Sequence, residues 1–132
     1  MKWQQLTPNL MVEDVEASAA WYTELLGFTV DAGVPGDDGA LNFAILHRDG
    51  IQLMLQRRAS LEADVPALKD VPIGASQTFF ITVDEVDGLY APLADRVETV
   101  VALHDTWYGT REVYFRDLNG YILCFSQQIA QE

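Results

Sequence analysis

Few side chains in this 132-residue sequence can do chemistry, and their neighbours narrow the choice further. Cys124 stands alone in YILCFS, with no second Cys, Lys or His beside it to lower a thiol pKa, and reads as a small buried hydrophobe. His47 precedes an Asp49-Gly50 turn and His104 follows an extended run, so both fall at strand ends, where surface or loop-capping roles suit them. The carboxylate pairs Glu13-Asp14, Asp37-Asp38 and Asp84-Glu85 lie in helix starts or turns, and capping and solvation account for them. There is no CxxC, Cys/His cluster, Ser-His-Asp order, phosphate loop or GxGxxG, which removes structural zinc, disulfide scaffolds and nucleotide cradles. What remains is binding chemistry. Gln52 is a neutral hydrogen-bonding group, and Trp107-Tyr108 sits in a glycine-containing loop suited to ligand contact, dimer contact or plain loop packing. Arg111, next to Glu112, reads as one half of a structural ion pair.

The elements that must position these groups come from an internal repeat. An offset of 71 lays residues 6–30 over 77–101, matching Thr7 to Thr78, Val12 to Val83, Val15 to Val86 and Val30 to Val101. Leu6 to Val12 reads as a strand. Val15, Ala19, Tyr22, Leu25 and Leu26 then share one helical face, with Asp14 to cap its start and Gly27 to end it. In the second copy Val86, Leu89, Tyr90, Leu93 and Val97 repeat the pattern, although Pro92 predicts a bend or a late start. Extended runs follow each helix, at 28–33, 40–47 and 51–56 and again at 97–103, 112–116 and 121–126. Asp49-Gly50 and Asn119-Gly120 supply the hairpin turns. Each unit is therefore βαβββ. The units span about 1–56 and 76–128, joined by linker 57–75 with a short helix around Leu61 to Leu68, in a single domain of residues 1–132. A loop from His104 to Arg111 precedes the last hairpin.

Strand alternation sorts the faces. Leu10, Val12, Ile81 and Val83 share the parity that packs under the helices. The opposite parity lines a cavity and includes Thr7, Asn9, Met11, Gln52, Met54, Gln56, Thr78, Phe80, Thr82, Ile122 and Cys124. Charge is nearly absent from that set. With Phe43, Tyr114, Trp107 and Tyr108 as aromatic walls, such a surface suits a flat or extended organic ligand held by stacking and a few hydrogen bonds. The ligand-binding candidates are Asn9, Phe43, Gln52, Met54, Phe80, Trp107, Tyr108, Tyr114 and Cys124.

Charge limits the partners. Eight Lys and Arg against 20 Asp and Glu give a net charge of -12, which argues against nucleic acid and anionic membranes and would attract a cationic ligand. No apolar run approaches the roughly 18 residues of a membrane span, and the Met1-Lys2-Trp3-Gln4-Gln5 start lacks a signal-peptide core, so a cytoplasmic location is expected.

Two tandem βαβββ units, with AAWYTELLGFTV in the first and GTREVYFRDLNGYILCF at the end, resemble the vicinal oxygen chelate superfamily of glyoxalases, extradiol dioxygenases and bleomycin-resistance proteins. The resemblance implies an α+β fold, a curved mixed sheet with a concave cavity and helices on its outer face, and a homodimer. Leu118 stands where the family's turn carries proline. The family's enzymes hold a divalent metal with four residues, and the matching positions here are Thr7, Gln52 or Met54, Thr78 and Cys124. Only Gln52 is a ligand of the family type, so no catalytic metal and no cofactor is expected. The expected function is that of a metal-free, bleomycin-resistance-type protein that sequesters an aromatic or cationic, antibiotic-type molecule. Two alternatives stand beside it: a metal-dependent lyase, isomerase or dioxygenase of the same fold, and an interaction module without a small ligand.

Overall fold

A computed structural model describes residues 1–129, and in it the chain forms two compact units, the first ending at Ile73 and the second starting at Gly74. In the first unit come strand β1 (Asn9–Val12), helix α1 (Val15–Leu26), strands β2 (Thr29–Pro35), β3 (Leu41–Arg48) and β4 (Ile51–Arg57), then helix α2 (Arg58–Asp64) and a 3-10 turn at Pro66–Leu68. The second holds β5 (Thr78–Thr82), α3 (Val86–Tyr90), a 3-10 turn at Ala91–Leu93, β6 (Glu98–Asp105), β7 (Thr110–Arg116) and β8 (Ile122–Gln128). Each unit has one four-stranded mixed sheet, ordered β1-β4-β3-β2 and β5-β8-β7-β6, with the first strand parallel to the last and the other pairs antiparallel. Both sheets are curved and open. Among the described residues no helix is long and apolar enough to cross a membrane.

Local chemistry sets the limits of α1. The Asp14 carboxylate accepts from the Ala17 N–H at 3.0 Å, and Gly27 closes the helix in the left-handed region at φ 71. Val15, Ala19, Tyr22 and Leu26 on its inner face bury against Leu10, Val12, Ala44, Leu46, Leu53 and Leu55 of the sheet. At about 1.5–3 kcal/mol for each large aliphatic or aromatic side chain, this layer is the main stabilising element of the unit. In the second unit Val86 and Leu93 lie over Val113, Phe115, Leu123 and Phe125, and the Phe115 and Phe125 rings stack at 5.4 Å. At the helix starts the repeat holds to the residue, since Val15 and Val86 each open a helix.

Several boundaries differ from those read in the sequence. β1 begins at Asn9 instead of Leu6, because Pro8 has no N–H and contributes only its carbonyl, which accepts from Met54 N–H at 2.9 Å. Leu6 is left exposed. Pro92 stops α3 after five residues and turns the rest of that face into a 3-10 turn. β6 and β7 extend into the loop read at 104–111, leaving only residues 106–109 between them. In the Asp49-Gly50 turn it is Asp49 that takes a positive φ of 48, whereas Gly120 takes it in the second hairpin. The segment 57–75 carries α2, which packs on β1 and β4 with Leu61 buried and covers the Met11–Gln56 end of the face opposite α1.

Replacing the cap, Asp14→Ala, is expected to lower the stability of the chain by about 1 kcal/mol in urea denaturation, with Asp14→Ser retaining most of it. Equal losses in the two variants would show that the α1 cap is not the source.

Candidate functional site

In the first unit the face away from α1 is read rung by rung across the strands. Asn9, Met54 and Ile45 form one rung, Met11, Gln56 and Phe43 the next, and Gln52 pairs with His47. Four predicted residues, Asn9, Phe43, Gln52 and Met54, therefore share one surface. The Gln52 Oε1 accepts from Gln5 Nε2 at 2.7 Å and from Thr7 Oγ1 at 2.9 Å. The buried Gln56 accepts from Asn9 Nδ2 at 2.8 Å and donates to Ser60 Oγ and Asp64 Oδ2 on α2 at 2.9 and 2.8 Å. Gln56 is thus committed to holding α2, and Asn9 is left at the rim. His47 sits on this face too, near the end of β3, with Nδ1 at 2.8 Å from both oxygens of Asp31.

The second unit presents a different chemistry. Phe80, Cys124 and Tyr114 form one rung, and Thr82, Ser126 and Glu112 the next. Phe80 is 60% exposed, while Cys124 is fully buried. Burial pushes the Cys124 thiol up, and its hydrogen bond to Tyr114, aided by burial, pushes the phenol up to about 12. Both stay protonated near neutrality, so Cys124 is no nucleophile. Beside them lies a buried carboxylate that the sequence reading missed. Glu112 is 1% exposed and accepts from Tyr108 Oη at 2.8 Å, Thr110 Oγ1 at 3.0 Å and Ser126 Oγ at 2.9 Å. Burial raises its pKa, but the three hydroxyls together outweigh burial and hold it below the ordinary carboxylate value. Tyr108 is thereby tied down over Glu112, and its neighbour Trp107, 96% exposed at the loop tip, meets it edge to face with ring centroids 5.3 Å apart. Arg111 points the other way and pairs with Asp105 and Asp87 at 2.7 and 2.8 Å.

Alternation along Thr110-Arg111-Glu112-Val113-Tyr114 was the signal for Glu112, since it separates the glutamate from Arg111 and places it between two hydroxyl side chains. A cleft of about 340 Å³ at the start of α1, lined by Glu13, Asp14, Glu16, Leu41 and Arg57 among others, contains none of the predicted residues. Its charges are already engaged, Arg57 with Asp38 and Glu16 with the Leu41 N–H.

The four positions that would hold a divalent ion do not fit one. Gln52 Oε1 takes two hydrogen bonds from neighbours, Met54 offers a thioether, Thr78 an exposed hydroxyl and Cys124 a buried protonated thiol. Among the described residues no group of three His, Cys, Asp or Glu is placed to bind a metal.

Two curved βαβββ-type sheets with open polar faces define the class, and the sequence match is specific. Residues 4–125 fit the model of the Glyoxalase/Bleomycin resistance protein/Dioxygenase superfamily, and the chain belongs to it. It is 27% identical over 128 residues to the uncharacterized protein Mb0911c of Mycobacterium bovis, covering 96% of this chain and 84% of that one. Among solved structures it is similar to a glyoxalase/bleomycin resistance protein/dioxygenase from Nocardioides, at TM-score 0.78 and 24% identity over 100% of this chain and 88% of that one. TioX from Micromonospora sp. ML1 matches at 0.74 and 20%, over 96% and 100% of the two chains. The bleomycin-binding protein of Streptomyces verticillus, solved with copper(II)-bleomycin, matches at 0.61 and 24%, over 99% of each. These likenesses share the fold.

Glu112→Gln is expected to cost about 1–3 kcal/mol near neutral pH, because an amide cannot accept from all three hydroxyls. A carboxyl whose folded pKa is depressed stabilises above its unfolded value of about 4.3, and that contribution is lost as pH falls through the folded value. The gap between wild type and variant should therefore shrink on acidification in urea titrations. A gap independent of pH would contradict the ionised, hydroxyl-bound state.

Proposed function

We propose that this protein binds an aromatic or cationic small molecule of antibiotic type and sequesters it without turnover, as a cytoplasmic homodimer. The observation that carries this reading is the chemistry of the two open faces: amides, hydroxyls, a thioether, aromatic rings, an imidazole held by Asp31 and a carboxylate held by three hydroxyls, with neither a ligand set for a divalent ion nor an activated thiol among the described residues. Such surfaces hold a flat molecule by stacking and neutral hydrogen bonds. The net charge of -12 favours a cation on approach. The fold shared with a bleomycin-binding protein supports the same reading.

The test has two arms. After incubation with Mn, Fe, Ni and Zn ions and removal of excess, elemental analysis should find no stoichiometric metal, and one tightly held ion per chain would redirect the reading to metal-dependent catalysis. A thermal-shift panel of aromatic and cationic antibiotics, bleomycin included, should yield a ligand whose stabilisation approaches about 2.7 kcal/mol at a hundredfold excess over Kd. No stabilising compound would count against sequestration. Phe80→Ala is expected to weaken that ligand roughly tenfold while leaving the melting temperature of the free protein almost unchanged, since the ring is largely exposed.

A further inference from the structure

The pairing of His47 with Gln52 has a specific hydrogen-bonding polarity. These two residues are direct cross-strand partners on β3 and β4, so their side chains rise side by side from one face, roughly 5 Å apart at Cβ. Each is oriented by a neighbour on the same unit. An Asp31 carboxylate only accepts, so the His47 Nδ1 at 2.8 Å from both its oxygens carries the proton, and in the neutral ring Nε2 is left as an acceptor. Gln52 is locked in the opposite sense. Gln5 presents an amide N–H and Thr7 a hydroxyl proton, so the carbonyl oxygen of Gln52 must face them and its Nε2 donor is turned away. Neither His47 Nε2 nor Gln52 Nε2 has a partner among the described residues. The His47 and Asp31 side chains are 45% and 39% exposed, so a ligand can reach them. The next rung, Ile45 and Met54, is apolar.

We propose that this rung is a recognition site for a planar cis-amide edge, as in a lactam or a primary carboxamide. The ligand N–H would donate to His47 Nε2, its carbonyl would accept from Gln52 Nε2, and its ring would lie on Ile45 and Met54. The inference rests on the sequestration reading and names what part of a ligand the first unit reads. A donor–acceptor pair discriminates strongly, because a ligand lacking either group leaves a protein polar group unpaired.

The probe is 2-quinolinone, compared with N-methyl-2-quinolinone, which keeps the ring and carbonyl but loses the N–H. Binding is followed in mildly alkaline buffer by NMR shift perturbation, with the imidazole nitrogens of His47 as direct reporters. Wild type should bind the N–H compound at least about tenfold more tightly than the N-methyl one, consistent with one lost hydrogen bond. His47→Phe should erase that ratio, Gln52→Leu should weaken both compounds alike and leave most of the ratio in place because both keep the carbonyl, and Asp31→Asn should reduce the ratio by freeing the tautomer. Melting temperatures of the variants check that they fold, and the N-methyl comparison needs no variant at all. A ratio near one in wild type, a ratio that survives His47→Phe, unchanged affinities in Gln52→Leu, or no 2-quinolinone binding would overturn the proposal. If the antibiotic panel yields a ligand while 2-quinolinone fails, sequestration stands and this recognition site falls; quinolinone binding with the predicted ratio and a silent panel would keep the site and count against antibiotics as what it holds.

Discussion

The composition of both open sheet faces depends on the two-residue period of the strands being held in register. Leu53 and Leu55 are buried beneath α1 while Gln52, Met54 and Gln56 rise from the other side. A slip of one residue would exchange the two sets and expose the apolar layer, at a cost of several kcal/mol. The same constraint holds in the second unit, where Val113 and Phe115 are covered and Glu112 and Tyr114 are not on their side. Burial of one face therefore specifies the composition of the other, and polar chemistry can vary there without disturbing the core.

The two units have used that freedom differently. In the first, amides dominate: Gln5, Gln52, Asn9 and Gln56 form two short chains of hydrogen bonds, one reaching the segment before β1 and one reaching α2. In the second, hydroxyls converge on a carboxylate, and a phenol is hydrogen-bonded to a thiol. Glu112 shows how a buried charge is tolerated without a cation, since three charge-assisted hydrogen bonds replace the water it gave up. Arg111, one residue away, serves an unrelated pair of aspartates on the opposite side.

Much of this was legible in the chain because long-range repetition and short-range periodicity agree. The 71-residue offset, the face Val15-Ala19-Tyr22-Leu26 and the two glycine turns each point to the same βαβββ unit, and the parity of Leu10 and Val12 sorted the sheet faces correctly. Where proline intervenes the periodicity misled: Pro8 delays β1 and Pro92 cuts α3, both by removing an N–H that the pattern of apolar residues does not register. Site residues were harder. Nothing in a sequence tells whether a loop tip folds back, and Tyr108 does so through one hydroxyl that finds Glu112, while Trp107 stays exposed beside it. His47 read as a strand-end group from its nearness to a turn. Its partner Asp31 lies beside a register shift in β2 that period-two counting cannot foresee.

The parallel pairing of the first and last strands of each unit also bears on the order of assembly. β3 with β4, and β7 with β8, are joined by tight turns and close small loops, so these hairpins form on a microsecond scale. β1 must instead be recruited across the whole unit, as the 45 positions between Thr7 and Gln52 show, and its loop-closure entropy is met only when the parallel ladder is complete. The amide of Gln52 is therefore oriented by a segment distant in sequence. A unit in which that ladder is open would carry the same residues on the same strands with the Gln52 amide free to rotate, so its orientation is a property of the closed unit and not of β4 alone.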